Sequence, residues 1–224
     1  MSARRIAKDQ PASFAFSAES KPEVDFWLAK YPADRKRSAV IPLLWVAQKQ
    51  AGGWTPEPAM RAIGELLEMP YIRVLEVATF YTMFNLEPVG RFHVQLCGTT
   101  PCMLRGSEEL KAVLKAKIGP KGSVTEDRLF SWIEVECLGA CCNAPMVQIS
   151  TTETDHYYED LTPELLEKLL DDLASGRDVT LGPQIERQTS APVGDITTLK
   201  DASLFDGSRA EKVTLPNTAP AEEA

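Results

Sequence analysis

All five cysteines of this 224-residue chain fall within one stretch, from Cys97 to Cys142. It opens as Cys97-Gly-Thr-Thr-Pro-Cys102 and closes as Cys137-Leu-Gly-Ala-Cys141-Cys142-Asn-Ala-Pro145, so a C-x4-C pair is followed, after 34 residues, by a C-x3-C pair with one cysteine to spare. Two close pairs of thiolates brought together make a four-sulfur site, which suits zinc or an iron–sulfur cluster. The chain has no apolar run of the roughly 18 residues needed to span a bilayer, and its N-terminus has no apolar secretory core. The expectation is a soluble intracellular protein, in which clustered cysteines point to metal or redox chemistry rather than to a disulfide framework.

The elements around the cysteines suggest how the pairs could meet. Phe92, Val94 and Leu96 alternate with His93 and Gln95, which predicts a strand delivering Cys97 at its end. Ile133, Val135 and Cys137 alternate with Glu134 and Glu136, predicting a second strand that delivers the second pair. If both strands share a sheet, both cysteine loops lie at one edge. A [2Fe–2S] cluster takes two thiolates per iron, so Cys97 with Cys102 would hold one iron and the second pair the other. Gly98, Gly139 and Ala140 then matter as small residues whose N–H groups can approach the sulfurs. Spacing alone leaves structural zinc open, and it leaves Cys141 and Cys142 unresolved as the fourth ligand. His93 and His156 lie on expected strands without the His–Cys pairing of a Rieske motif, so ordinary surface or packing roles are expected for both.

Upstream, the pattern is helical. Ser20-Lys21-Pro22-Glu23 reads as a capping box before Val24, Trp27 and Leu28. Ile41, Leu44, Trp45 and Gln48 predict a helix stopped by Gly52-Gly53, and Met60, Ile63, Leu66 and Leu67 predict a third beginning at Thr55-Pro56-Glu57. A fourth starts near Pro70 and carries Val74, Val77, Ala78, Tyr81 and Phe84 before Pro88. Downstream of Cys102, a helix opened by Ser107-Glu108-Glu109, a hairpin of Met146–Ile149 with His156–Tyr158, and a helix capped by Thr162-Pro163-Glu164 complete a small α/β unit. The expected organisation is α+β: a flexible tail over 1–19, a helical bundle over 20–89, an α/β cysteine domain over 90–183, and an extended or disordered tail over 184–224.

With 24 basic and 32 acidic residues the net charge is −8 and no basic run stands out, so no nucleic-acid partner is expected. No G-x-G-x-x-G follows a strand and no flavin signature is present, so the chain is not expected to bind a dinucleotide or accept a hydride.

Four segments taken together resemble a known family: Glu76-Val-Ala-Thr-Phe-Tyr-Thr-Met-Phe-Asn85, Cys97-Gly-Thr-Thr-Pro-Cys102, Glu136-Cys137-Leu-Gly-Ala-Cys141-Cys142-Asn-Ala-Pro145-Met146, and Tyr158-Glu-Asp160-Leu-Thr162. Over about residues 20–183 the chain is similar to the small [2Fe–2S] subunits, often called 24 kDa, of the NADH dehydrogenase module of respiratory complex I. The resemblance implies a helical N-terminal bundle followed by a thioredoxin-like ferredoxin domain. It implies one [2Fe–2S] cluster on Cys97, Cys102, Cys137 and Cys141, with Cys142 outside the ligand pattern. It also implies, as partner, a flavoprotein subunit that binds NADH and FMN and carries a [4Fe–4S] cluster, within the peripheral arm of complex I. The expected place is the cytoplasmic side of the inner membrane in a bacterium, or the matrix side in a mitochondrion, with no membrane span of its own. Related subunits serve NAD-reducing hydrogenases and NAD-dependent formate dehydrogenases, which the motifs do not separate from complex I.

Overall fold

The computed structural model describes residues 4–194, 198–204 and 206. The chain divides into two compact units, residues 1–185 and 186–224. In the second, a 3₁₀ turn spans Ala202–Leu204, closed by a bond from the Leu204 N–H to the Asp201 carbonyl. The rest of the expected C-terminal tail, residues 195–197, 205 and 207–224, lies outside the described residues.

The first unit begins with helices α1 (Lys21–Ala29), α2 (Val40–Gln50), α3 (Glu57–Leu67) and α4 (Tyr71–Phe80). Leu43, Leu44, Met60, Ile63, Leu67, Val74, Ala78 and Phe84, each fully buried, form their common core. These are apolar residues at helical spacing, so each helix turns one stripe inward. The capping box expected at Ser20 does not form. Ser20 has helical backbone angles and makes no side-chain cap bond; its N–H is taken instead by the Ser17 hydroxyl, 3.2 Å away. Helix α4 is shorter than its apolar pattern predicts: Tyr81 is extended (φ −85°, ψ 110°), and Phe84 reaches the core from beyond the helix end. Residues 1–3 lie outside the described residues. From Arg4 onward, the stretch expected to be a flexible tail packs against these helices, with Ile6, Phe14 and Phe16 on the core and the Arg4 guanidinium on the carbonyls of Ala78, Thr79, Tyr81 and Phe84.

After Gly90 come β1 (Phe92–Cys97), α5 (Thr100–Leu104), α6 (Ser107–Lys117), β2 (Phe130–Val135), β3 (Val147–Ser150), β4 (Asp155–Glu159), α7 (Pro163–Ala174) and β5 (Gly182–Pro183). The strands make one sheet in the order β2-β1-β3-β4-β5, with β1 parallel to β2 and antiparallel to β3. Val94 and Leu96 of β1, Trp132, Val147, Ile149 and Tyr158 point to one face, where Leu110 and Leu114 of α6 and Leu166, Leu169 and Leu170 of α7 cover them. Trp132 is fully buried and donates its indole N–H to the Gly119 carbonyl at 2.8 Å, which anchors the α6–β2 connection. Thr162 caps α7 as expected, its hydroxyl accepting from the Leu165 N–H at 3.3 Å. Among the described residues no helix is long and apolar enough to cross a membrane.

Candidate metal centre

The parallel pairing of β1 and β2 sets the site. Their register places Cys97, the last residue of β1, opposite Val135, the last of β2. The Gly98 N–H adds one more rung to the Val135 carbonyl at 3.1 Å, after which the chains diverge into the two cysteine loops. In the first loop, Pro101 fixes the opening turn of α5, and Cys102 packs in one buried cluster with Cys97. Both are buried, each only 1% exposed. In the second, Gly139 takes φ +88°, a left-handed angle that glycine adopts without strain, and a 3₁₀ turn over Cys141–Asn143 follows. The turn sets Cys141 Sγ 3.3 Å from Cys137 Sγ, and the Gly139 N–H donates to the Cys137 sulfur at 3.4 Å. This second pair is exposed, as is Cys142.

The wall around the sulfurs is apolar and tied down. Ala144 and Met146 pack with Cys97 and Cys102, and Leu138, Ala140 and Tyr157 close the cluster. The Tyr157 hydroxyl donates to the Leu138 carbonyl at 2.8 Å, fastening the second cysteine loop to β4. On the other side Glu134 lies against Gly98 so closely that a Cβ there would come within 2.3 Å of its carboxylate. Lys111 holds that carboxylate at 3.0 Å.

The thiols are electrostatically unequal within each pair. Burial pushes Cys97 up, but hydrogen bonds from the Thr99 hydroxyl and N–H, with Cys102 and Leu138, bring it below its ordinary value. Burial, then the hydrogen bond and charge of Cys97, push Cys102 up to about 12. Cys137 is lowered, first by the Gly139 N–H and then by Cys141, whereas Cys141 is raised by its bond to Cys137. A bound cation makes both sulfurs of a pair thiolates, as ligation requires. Among the described residues, no three or more Cys, His, Asp or Glu side chains gather as the ligands of one metal ion. Two pairs in small-residue loops, with an N–H already on sulfur, fit a binuclear cluster, which takes two thiolates per iron.

The structure thus brings Cys97 to Cys102 and Cys137 to Cys141. Neither histidine bonds to sulfur. His93 is held by the Ser131 hydroxyl at 2.8 Å, and His156 stands opposite Ile149 in the β3–β4 hairpin. Sequence reasoning missed α5 and the sulfur contact of Thr99, whose Oγ1 lies 3.3 Å from Cys97 Sγ. A threonine two residues after a candidate ligand was the only signal for that contact.

A thioredoxin-like sheet with two cysteine pairs at the ends of adjacent parallel strands defines a class, the thioredoxin-like ferredoxins with an iron–sulfur site. The sequence matches the thioredoxin-like [2Fe-2S] ferredoxin family over residues 24–174, and the chain belongs to it. It is 52% identical over 206 residues to an NADH-quinone oxidoreductase subunit of Rhizobium meliloti (strain 1021), covering 89% of this chain and 73% of that one. It is 54% identical over 162 residues to an NADH-quinone oxidoreductase subunit of Rickettsia bellii (strain RML369-C), covering 72% and 95%. Among solved structures, an NAD+-reducing [NiFe]-hydrogenase in its H2-reduced state superposes with a TM-score of 0.51 at 20% identity over 61% of this chain. The match spans 23% of that hydrogenase chain, and the likeness is one of fold.

Proposed function

We propose that this chain is the iron–sulfur electron-transfer subunit of an NADH:quinone oxidoreductase, holding one [2Fe–2S] cluster on Cys97, Cys102, Cys137 and Cys141. The observation that carries it is the pairing of thiols at the ends of two adjacent parallel strands, in a chain 52% and 54% identical to relatives of that name. When bound, such a cluster supplies one-electron chemistry. Cys97 and Cys102, enclosed by Met146 and Ala144, form the buried side of the site, while Cys137 and Cys141 present its solvent side to a partner. NADH gives up two electrons as a hydride, and β1 runs into Gly98-Thr-Thr-Pro101 rather than a glycine-rich phosphate turn. The hydride acceptor is therefore assigned to FMN on an NADH-binding flavoprotein partner carrying a [4Fe–4S] cluster. The helical region, residues 20–89, is read as a docking part, since α4 leaves Ile72 and Phe80 54% and 77% exposed. The complex would hold this chain peripherally, on the cytoplasmic face of a bacterial inner membrane.

The test is anaerobic addition of NADH to the full chain alone and then with the flavoprotein, following the visible absorbance, with dithionite as the control for a reducible cluster. The isolated chain should bleach with dithionite and not with NADH. Rapid bleaching of the flavin-free chain by NADH would overturn the assignment of the hydride site to a partner.

A further inference from the structure

Thr99 stands at the N-cap of α5, where a threonine hydroxyl ordinarily accepts a bond from an N–H of the first turn. Thr162 does this at α7, taking the Leu165 N–H at 3.3 Å. Thr99 makes no such bond. Its Oγ1 instead lies 3.3 Å from Cys97 Sγ. A metal-bound thiolate carries no proton, so in any such contact the hydroxyl is the donor.

We propose that Thr99 is a positioning residue that sets the reduction potential of the site, its hydroxyl donating to the Cys97 sulfur. The inference rests on the reading that these cysteines hold a [2Fe–2S] cluster. Reduction adds one negative charge to such a centre and increases the electron density on its sulfurs. A donor on sulfur stabilises the reduced form more than the oxidised form and raises the potential. Because the hydroxyl has no capping duty in α5, removing it changes this electrostatic contact while leaving the helix its backbone bonds, among them the Met103 N–H to the Thr99 carbonyl at 2.9 Å.

The experiment uses the full chain loaded with iron and sulfide. Iron content and the reduced-state electron paramagnetic resonance signal are read first, and then the midpoint potential by redox titration. A wild-type chain that takes up no iron defeats the cluster reading, and this inference with it. Given a loaded wild type, Thr99→Val, nearly the same shape without the hydroxyl, should keep its iron and titrate at a lower potential. Thr99→Ser, which restores a hydroxyl, should return the midpoint toward wild type. Thr99→Ala repeats the deletion without a branched side chain. Equal midpoints for wild type and the valine or alanine variant would overturn the inference, as would a serine variant shifted as far as valine. Loss of iron from both the valine and alanine variants, with serine loaded, would reassign the hydroxyl to building the loop and would equally overturn it.

Discussion

Acid should destabilise this fold through one buried imidazole. His93 is 4% exposed on β1, and burial lowers its pKa from 6.5 to about 4. Ser131 Oγ accepts the Gly90 N–H at 2.9 Å and lies 2.8 Å from His93 Nδ1, while Nε2 is buried with no hydrogen-bond partner among the described residues. A charged ring would have to bury an Nε2–H that has no acceptor there. Because the folded-state pKa lies below the unfolded one, the unfolded chain takes up a proton first as the pH falls. The cost is absent well above pH 6.5, grows between 6.5 and about 4, and is complete below that. The gap corresponds to about 3 kcal/mol in full and about 2 kcal/mol at pH 5. Urea denaturation of wild type and His93→Gln at pH 7.5 and pH 5 isolates the effect, since the other titrating groups are common to both proteins. The variant should be the less stable at pH 7.5, and its deficit should shrink by about 2 kcal/mol at pH 5. A deficit unchanged between the two pH values would refute the account of His93 as a buried neutral ring.

Gly90→Ala should cost about 3 kcal/mol in urea denaturation, because the new Cβ would come within 2.4 Å of the Phe130 backbone carbon and force β1 away from β2. A cost within a few tenths of zero would show that this approach is not tight in solution. Cys137→Ala should abolish the reduced-state paramagnetic signal, whereas Cys142→Ser should leave signal and iron content intact; a cluster lost from Cys142→Ser yet kept in Cys141→Ser would invert the ligand assignment. Thr162→Ala should lower stability by about 1 kcal/mol through the lost α7 cap, measured by the same denaturation, with iron content unaffected.

What could be read from the sequence follows from period and chemistry. The alternation from Phe92 to Leu96 yields β1 because every second residue faces the leucines of α6 and α7, and the cysteine spacing marks the site because ligation needs sulfurs within one loop's reach. Helix α5 was hidden: five residues with a proline in the first turn contain little more than one helical period. The end of α4 was hidden for the opposite reason, since Tyr81 and Phe84 continue the apolar spacing although the backbone has turned away and Arg4, remote in sequence, occupies the freed carbonyls. The Ser20 cap failed because a competing hydroxyl, Ser17, lay three residues upstream. The closeness of Gly90 to β2 depends on a strand about forty residues away and leaves no local trace.

The parallel register of β1 and β2 separates two kinds of spacing in this chain. Within each cysteine pair the residue count is rigid, because one short turn must fold a thiol back toward its neighbour. Between the pairs it is not, because the meeting of Cys97 with Val135 is specified by strand pairing, whatever length of crossover joins the strands. The 34 residues from Cys102 to Cys137 are thus a property of α6 and its connections rather than of the metal chemistry. Lineages can lengthen or trim that crossover while keeping the same sulfurs together. A motif written with a fixed gap would overlook such relatives, and one written as two short motifs, each following a strand, would find them.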